Sequence, residues 1–578
     1  SQVSRAFMKS ADPFPALAWL REYNKGQFAQ DATAAFIVTM LLIPQSLAYA
    51  MLAGVPPEVG LYASILPLVL YALFGTSTSL SVGPVAVASL MTATSLGAIA
   101  EQGSASYLTG AITLALLSGA ILIAMGAMKL GMITQFLSHS VISGFISASG
   151  IIIALSQLKH VFGIQSEGDN LVTQLQTLFA SLGEFNLPTF LVGISVMAFL
   201  LLARRYSKPL LMALGLSSTT AASLAKTAPI LGVLLSLGVV FGYDLNAQGV
   251  AITGHIPAGL PSLGVTLPSL ELIKSLALPA LMISIIGYVE SISVGKTLGA
   301  KRREKVKPNQ ELIALGAANL ASGVSGGFPV TGGFSRSVVN FEAGAVTQLA
   351  SIMTAIGIMI ASLFLTPALY YLPKATLAAT IIVAVITLVD FSILKKTWDF
   401  SRSDFYAVLA TIVITLVLGV EVGVASGVIL SIVLHLHHSS TPHVAEVGLI
   451  AGTEHFRNVK RFEVETLPRV LCLGPDESLF FANAAFLEDH IMAVLSERRE
   501  VCHVIIQCSA VNDIDYSALE MLENLNAELD ALGITLSLSE VKGPVMDHLT
   551  CSGFLQHLTG KVYLSQFQAF KDVAQMNP

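Results

Sequence analysis

The chain has few charged residues and few cysteines, and both scarcities restrict what it can be. Only 12% of its 578 residues are charged, whereas 54% are hydrophobic, and its mean hydropathy is +0.73. Soluble globular domains carry about a quarter charged residues, so the composition indicates a membrane protein. The four cysteines form no CxxC pair, and we therefore expect neither a metal site nor a disulfide framework.

Charge divides the chain into two parts. The first 440 residues hold 22 Lys and Arg and 18 Asp and Glu, whereas the rest holds 9 and 19, together with all four cysteines. Such an acidic tail does not indicate nucleic-acid binding, and free thiols fit a reducing cytosol. We predict a cytosolic N-terminal segment at 1–30, a transmembrane domain at 31–438, a linker at 439–465 and a cytosolic domain at 466–578.

The apolar runs predict about 14 membrane spans. A spanning helix needs about 20 apolar residues, and shorter runs are expected where helices break inside a bundle. The predicted spans lie near 31–53, 57–74, 84–100, 107–128, 131–157, 187–203, 229–243, 271–297, 309–323, 334–344, 347–369, 375–391, 404–419 and 421–438. Clusters of Lys and Arg follow even-numbered spans, which places both termini in the cytoplasm.

The two halves of the membrane domain match weakly at an offset of 245 residues. At this offset Gln45-Ser46 aligns with Glu290-Ser291, Gly54 with Gly299, and Pro84-Val85 with Pro329-Val330. Seven spans in each half, roughly 31–243 and 271–438, predict two repeats of inverted topology. In such folds the substrate site lies between discontinuous helices near the middle of the membrane.

Each half contains a Gly/Pro-rich segment that leads into a short apolar helix. We predict that Pro84-Val85 and Pro329-Val330 open these two half-helices, because proline is pre-organised for a first helical turn. A helix N-terminus has unpaired amides and a partial positive charge. Two such ends that face each other would form an anion cradle. The alternative is a pair of ordinary proline kinks in packed helices.

Arg336 is the strongest single indication of a binding site. An arginine in an apolar, glycine-rich span is costly and usually functional, and its planar fork suits oxyanions. We predict that it lies about two turns into the second half-helix and corresponds to Met91 in the first repeat. The alternative is an arginine that snorkels to the membrane interface.

Glu290 is the candidate for ion coupling, and its repeat mate is the neutral Gln45. A carboxylate in an apolar helix is costly unless it is protonated or paired. If Glu290 held a proton only while an anion occupied Arg336, the two movements would be coupled. A permanent ion pair with Arg336 and a role as a Na⁺ ligand are the alternatives.

The tail alternates strands and helices, which predicts an α/β sandwich. The predicted strands are 467–473, 501–508 and 535–539, and the predicted helices are 483–498 and 517–532. Ser517 follows an acidic loop at the start of a helix, where a phosphate would be stabilised by the helix end. The alternative is that Ser517 simply caps its helix.

Five stretches resemble the sulfate permease family of anion transporters, and the resemblance runs nearly end to end. They are Ile43–Ala50, Val82–Val87, Tyr288–Ser293, Asn309–Leu312 and Thr331–Ser337. The tail resembles the STAS domain of that family, in which Ser517 matches a phosphorylatable serine. The combination of Gln45-Ser46, Glu290 and Arg336 is most similar to proton-coupled sulfate transporters of plants and bacteria.

The resemblance implies a polytopic helical fold with a seven-plus-seven inverted repeat, divided into core and gate subdomains. It implies a homodimer that works by an elevator-like motion and needs neither a cofactor nor a metal. The anion would be contacted by a set of side chains and amides at Gln45, Val85, Ala86, Phe334, Ser335 and Arg336, and Glu290 would carry the proton.

The resemblance thus implies H⁺-coupled sulfate uptake across a bacterial inner membrane. It also allows a cytosolic regulatory partner to bind the STAS domain. Two other functions remain. One is Na⁺-coupled or exchange transport of bicarbonate, chloride or a dicarboxylate. The other is an anion-sensing regulator that signals through the STAS domain. An enzyme is disfavoured, because the polar residues near the middle of the membrane lack a nucleophile–base pair.

Overall fold

The computed structural model describes residues 14–168, 170–265 and 267–576. Residues 1–13 of the predicted N-terminal segment lie outside this description. The chain forms two compact units, one up to Ser431 and one from Ile432. In the described part, seven helices are long and apolar enough to cross a membrane. The predicted helical membrane fold with an α/β tail is confirmed.

The first half of the membrane unit contains eleven α-helices and one short strand in its described residues. They are α1 (Ala16–Arg21), α2 (Lys25–Ala53), α3 (Pro57–Tyr62), α4 (Leu66–Phe74), β1 (Val82–Gly83), α5 (Ala86–Gly97), α6 (Ala105–Ala127), α7 (His139–Phe162), α8 (Leu171–Ala180), α9 (Leu187–Ala213), α10 (Ser218–Ala225) and α11 (Ala228–Gly242). Short 3₁₀ turns follow α6, α8 and α11.

The second half repeats this order of elements. It consists of α12 (Leu270–Lys301), α13 (Pro308–Val324), β2 (Thr331–Gly332), α14 (Phe334–Glu342), α15 (Leu349–Phe364), α16 (Lys374–Ile386), α17 (Ser392–Phe400), α18 (Arg402–Leu418) and α19 (Val420–Ser440). In each half a long helix comes first, and a two-residue strand leads into a half-helix, α5 or α14. The last spans of the halves are α11 and α19.

The first helices of the two halves start in the predicted register. Asn24 caps α2 through the Gln27 amide, and Ser269 caps α12 through the Leu272 amide. These side-chain caps satisfy amides that the helix itself leaves unpaired. The caps lie 245 residues apart in the sequence, so Gln45 and Glu290 occupy equivalent positions on α2 and α12.

The half-helices do not keep this register, and the prediction that Pro329-Val330 opens the second one is wrong, although the predicted span 334–344 coincides with α14. Val85 is the N-cap of α5 as predicted, but the N-cap of α14 is Gly333. The two starts lie 248 residues apart, because the second half has three more residues before its half-helix. Pro329-Val330 therefore lies before β2 and opens no helix.

The helices of the membrane unit pack in two groups. The core group consists of α2–α6 and α12–α15, in which α13 packs on α4 and α6, α12 on α6, and α15 on α2. The gate group consists of α7–α11 and α16–α19, in which α16 and α18 pack on α7, and α9 packs on α16. The helix α19 joins the gate group, because Gly427 lies against Val141 of α7 and Thr411 of α18.

The tail unit is a six-stranded sheet with helices, in the order β4-β3-β5-β6-β7-β8. Strands β5 to β8 are parallel, whereas β3 pairs antiparallel with β4 and β5. The elements are β3 (Val444–Leu449), β4 (Phe456–Asn458), β5 (Val470–Pro475), α20 (Ala484–Glu497), β6 (His503–Gln507), α21 (Tyr516–Ala531), β7 (Thr535–Ser539), α22 (Gly543–Ser552), α23 (Phe554–His557), β8 (Val562–Tyr563) and α24 (Gln566–Met576).

The segment predicted as a linker, 439–465, differs from that prediction. It contains β3 and β4, and β3 hydrogen-bonds along β5, with Val444 opposite Pro475 and Glu446 opposite Leu473. The predicted domain start at 466 therefore omitted an edge of the sheet. Of these two strands, the edge strand β4 has only three residues, and such short edge strands give a weak signal in a sequence.

Candidate anion site

The two short strands bring the half-helices together. Strands β1 and β2 pair antiparallel, with Val82 opposite Gly332 and Gly83 opposite Thr331. Each strand passes into a half-helix within three residues. Because the strands are antiparallel and adjacent, α5 and α14 start at one place and run towards opposite ends of the core group.

The N-termini of the half-helices present free amides to each other. Neither N-cap, Val85 or Gly333, has a side-chain cap. The first backbone bonds run from Ser89 to Val85, at 3.0 Å, and from Ser337 to Gly333, at 3.1 Å. The first three amides of each helix thus have no intrahelical partner. The caps touch, since a Cβ on Gly333 would lie 2.7 Å from Val85 Cγ1.

Arg336 lies in the first turn of α14 and not two turns into it. It therefore corresponds to Ala88 of α5 rather than to Met91. Its side chain is 2% exposed, and Nη1 donates to the Pro84 carbonyl at 3.3 Å. Nε and Nη2 are buried without a hydrogen-bond partner. Among the described residues, no carboxylate lies within 4.0 Å of the guanidinium, so the alternative of a permanent ion pair with Glu290 is not realised here.

Side chains from the second half hold the segment that leads into β1. Glu311 accepts from the Thr76 amide at 2.8 Å, and Gln348 donates to the Ser77 and Leu80 carbonyls at 2.7 and 3.1 Å.

Two side chains of α14 itself hold the same segment. Asn340 donates to the Ser79 carbonyl, and Ser337 accepts from the Ser81 amide. The first half-helix is thus positioned by residues about 250 positions away in the sequence.

The segment that leads into β2 is held by its own half. Asn319 accepts from the Val330 amide at 3.0 Å and donates to its carbonyl at 2.9 Å. Ser291, next to Glu290 on α12, accepts from the Gly332 amide at 2.8 Å. Its hydroxyl also lies 2.6 Å from that of Thr331. The helix that carries Glu290 is therefore tied to the strand that positions Arg336.

Gln45 and Tyr49 lie one helical turn apart on α2. Gln45 Oε1 is buried without a hydrogen-bond partner. Tyr49 is buried, and Arg336 and Glu290 are the charged residues that act electrostatically on its hydroxyl. We did not single out Tyr49 from the sequence, although its i, i+4 spacing from Gln45 is a signal that could have indicated it.

The remaining predicted residues line the start of the two half-helices. Val85 and Ala86 are buried, whereas Phe334 is 48% exposed and Ser335 is also exposed. The structure brings these four residues and Arg336 to one place. It leaves Glu290 on a neighbouring helix.

Both units of the chain match known protein families. Residues 28–411 match the sulfate permease family, and residues 461–569 match the STAS domain. The chain belongs to the sulfate permease family. The resemblance predicted from the five stretches and from the tail is confirmed. This permease is an anion transporter of that family and not an enzyme.

Two relatives of this permease span almost its whole length. A chloroplastic sulfate transporter 4.1 of Arabidopsis thaliana is 35% identical over 561 residues, which are 95% of this chain and 80% of the relative. A probable sulfate transporter of Mycobacterium tuberculosis is 32% identical over 553 residues, which are 95% of this chain and 96% of the relative. The family assignment therefore includes both the membrane unit and the tail.

The permease also has the fold of a solved structure. The murine solute carrier 26 family member A9 anion transporter, in its inward-facing state, superimposes with a TM-score of 0.89. The match covers 99% of this chain and 95% of that chain at 24% identity. At this level of identity, the similarity establishes the fold.

In the STAS domain of the permease, Ser517 does not cap its helix. The N-cap of α21 is Asp515, whose side chain accepts from the Ala518 amide at 2.8 Å. The same carboxylate also accepts from the Phe481 amide at 2.8 Å. Ser517 is the second residue of α21 and is half-buried, so the alternative of capping is wrong. Its phosphorylation stays a prediction.

Proposed function

We propose that this permease takes up sulfate together with protons by alternating access. The observation that carries the proposal is the pair of unpartnered, buried nitrogens of Arg336, Nε and Nη2. They lie at the point where two half-helix N-termini meet. A buried donor without a partner is costly, and a bound oxyanion would remove that cost.

The donors around this point suit a tetrahedral dianion. Guanidinium hydrogen bonds to oxyanions are charge-assisted and about twice as strong as neutral ones. The free amides of Ala86 and Phe334 add donors and helix dipole from two directions. The absence of a carboxylate within 4.0 Å of Arg336 among the described residues leaves its charge available. The names of the Arabidopsis and mycobacterial relatives also support sulfate.

Glu290 is the proposed proton carrier. It stands on α12 at the position that Gln45 has on α2, so the two repeats differ by one ionisable group at this place. A bound dianion brings two negative charges into a buried region, and an ionised Glu290 would add a third. Protonation of Glu290 removes that third charge. Nearby negative charges favour the protonated, neutral form of a carboxylic acid. Anion binding and proton uptake by Glu290 would therefore assist each other.

The packing of the membrane unit supports an elevator-like movement of the core group against the gate group. The proposed site lies wholly on core helices, and it can travel with them as one body. We further propose that the permease is a homodimer in a bacterial inner membrane with both termini in the cytoplasm, and that its STAS domain binds a cytosolic regulatory partner.

The test is uptake of radiolabelled sulfate into proteoliposomes at several external pH values. The wild type should accumulate sulfate faster as the external pH falls below the internal pH. Glu290→Gln should lose this acceleration while it still binds sulfate, because the amide keeps the shape of the side chain but carries no proton. Glu58→Gln, which removes a carboxylate from α3, serves as the matched control and should behave like the wild type.

Three results would contradict the proposal. If low external pH accelerated sulfate uptake equally in Glu290→Gln and in the wild type, Glu290 would not be the proton carrier. Uptake that follows a Na⁺ gradient, or exchange for bicarbonate, chloride or a dicarboxylate, would assign a different substrate or coupling ion. Sulfate binding without net flux would indicate a sensor rather than a transporter.

A further inference from the structure

Polar side-chain contacts between the core group and the gate group are confined to two places in the described part of the chain. In one, Lys226 Nζ lies 2.8 Å from Glu342 Oε2. In the other, the Ser95 hydroxyl donates to Glu421 Oε1 at 2.5 Å. The remaining side-chain hydrogen bonds and ion pairs of the membrane unit stay within one group or involve the loops that connect the groups.

The two contacts are related by the inverted repeat. Ser95 lies in the last turn of α5, and Glu342 is the last residue of α14. Their partners stand at the start of the last span of the opposite half: Glu421 is the second residue of α19, and Lys226 comes two residues before α11. Each half-helix therefore ends on the final span of the other repeat.

The contacts also lie at opposite ends of the core group. The half-helices start together at the paired strands β1 and β2 and run apart. Their C-terminal ends, which carry Ser95 and Glu342, point to opposite sides. Any sliding of the core group along the gate group must therefore open or remake a contact at each end.

In each contact, one of the two partners stays satisfied when the contact opens. The Ser95 hydroxyl also lies 2.7 Å from the Met91 carbonyl, so it keeps a hydrogen-bond partner when it leaves Glu421. The Glu342 side chain is 50% exposed, so its charge stays solvated when Lys226 moves away. The Lys226 side chain is only 18% exposed, so water screens this pair less than a fully exposed ion pair, and it holds the core group more firmly.

We propose that Lys226–Glu342 and Ser95–Glu421 are two latches, one at each end of the core group, that hold it in its present position against the gate group. Each latch sets the equilibrium between the two positions and touches no part of the anion site. The inference rests on the proposed alternating access but does not depend on which anion is carried.

The test measures the two positions directly in the full-length protein by pulsed electron-paramagnetic-resonance distances. Nitroxides are attached at Glu101→Cys on the core group and Glu184→Cys on the gate group, both exposed positions. The less buried native thiols, Cys502 and Cys551, are replaced by serine, while Cys472 and Cys508 are buried. The wild type should show two distances whose proportions change when sulfate is added.

Opening either latch should change these proportions in the absence of sulfate. Lys226→Gln and Ser95→Ala should each raise the population of the minor distance by about two- to fivefold, as expected when one ion pair or one hydrogen bond is lost. The charge exchange Lys226→Glu with Glu342→Lys should restore the wild-type proportions. Lys208→Gln removes a lysine from an exposed site on α9 and should have no effect.

Unchanged proportions in both single variants, or a charge exchange that fails to restore them, would overturn the latches. A single distance in the wild type and in every variant would do the same. Sulfate flux measured on the same samples separates the two proposals. If the latch variants changed the proportions of the two distances but the protein showed no sulfate flux, the latch proposal would hold and the proposal of sulfate as substrate would be refuted.

Discussion

The guanidinium of Arg336 occupies the place that a side chain on Gly83 would take. A Cβ built on Gly83 would overlap the Nη1 atom, and Cζ and Nη2 would lie 2.5 Å from it. Gly83 is in β1 of the first half and Arg336 is in α14 of the second. The missing side chain in one repeat therefore makes room for the positive charge that the other repeat supplies.

This relationship predicts that Gly83→Ala displaces Arg336. Since real Cβ atoms do not approach other atoms this closely, either the guanidinium or strand β1 must move. We expect sulfate affinity to fall at least about tenfold, which corresponds to about 1.4 kcal/mol. Binding of radiolabelled sulfate to the purified protein measures the effect.

The matched control is Gly97→Ala at the other end of α5. Nothing lies within 4 Å of a Cβ at Gly97, so this variant should bind sulfate like the wild type. If Gly83→Ala kept wild-type affinity, the guanidinium would not need its present position to bind the anion.

The second prediction concerns the shape of the Arg336 side chain. Arg336→Lys keeps one positive charge but loses the planar fork, and Arg336→Gln loses the charge as well. Because a hydrogen bond to a charged group contributes about 1.5–3 kcal/mol, we expect affinity to fall about tenfold in the first variant and about a hundredfold in the second. Calorimetric titration with sulfate measures both.

Arg204→Lys on the exposed face of α9 is the control for a general effect of replacing arginine. Equal affinity in wild type, Arg336→Lys and Arg336→Gln would place the anion elsewhere.

The third prediction concerns acid stability of the STAS domain. Burial lowers the pKa of His503 from its ordinary value of about 6.5 to about 4, and its Nε2 lies 2.8 Å from the Ser537 hydroxyl. Above pH 6.5 the ring is neutral in both the folded and unfolded states. Between pH 6.5 and 4 only the unfolded state gains the proton, so stability falls as the pH falls, by at most about tenfold in the unfolding equilibrium per pH unit.

Hydrogen exchange of β6 and β7, corrected for the intrinsic effect of pH, should show this loss of protection in the full-length protein. His503→Gln should flatten the dependence, because glutamine cannot take up a proton. His557→Gln replaces an exposed histidine and should leave the dependence unchanged. A slope that is the same in all three proteins would refute the role of His503.

The sequence predicted the order of the membrane elements well because hydrophobic run length and capping are local. The long helices α2 and α12 start in the predicted 245-residue register, and the first half-helix starts after Val85 as expected. The predicted span 334–344 coincides with α14, but the assignment of its start to Pro329-Val330 was wrong, because three extra residues precede this half-helix. Its true cap, Gly333, is set by the pairing of β2 with β1, which is a contact between repeats.

The candidate site was predictable only where one residue was unusual for its surroundings. Arg336 and Glu290 stand out as charges in apolar helices. Gln348 and Asn340 do not, because their importance comes from hydrogen bonds to carbonyls more than 260 residues away in the sequence. Tyr49 shares a helix face with Gln45, but this spacing gains meaning only when the charged residues that face it from other helices are known.

The most direct test of the anion site is a structure of the permease with selenate, a sulfate analogue whose selenium scatters anomalously. The account predicts one anomalous peak within about 4 Å of Nε and Nη2 of Arg336, a distance set by oxyanion hydrogen bonds, and beside the amides of Ala86 and Phe334. A peak away from the meeting point of α5 and α14, or a wild-type site that stays empty at saturating selenate, would contradict it.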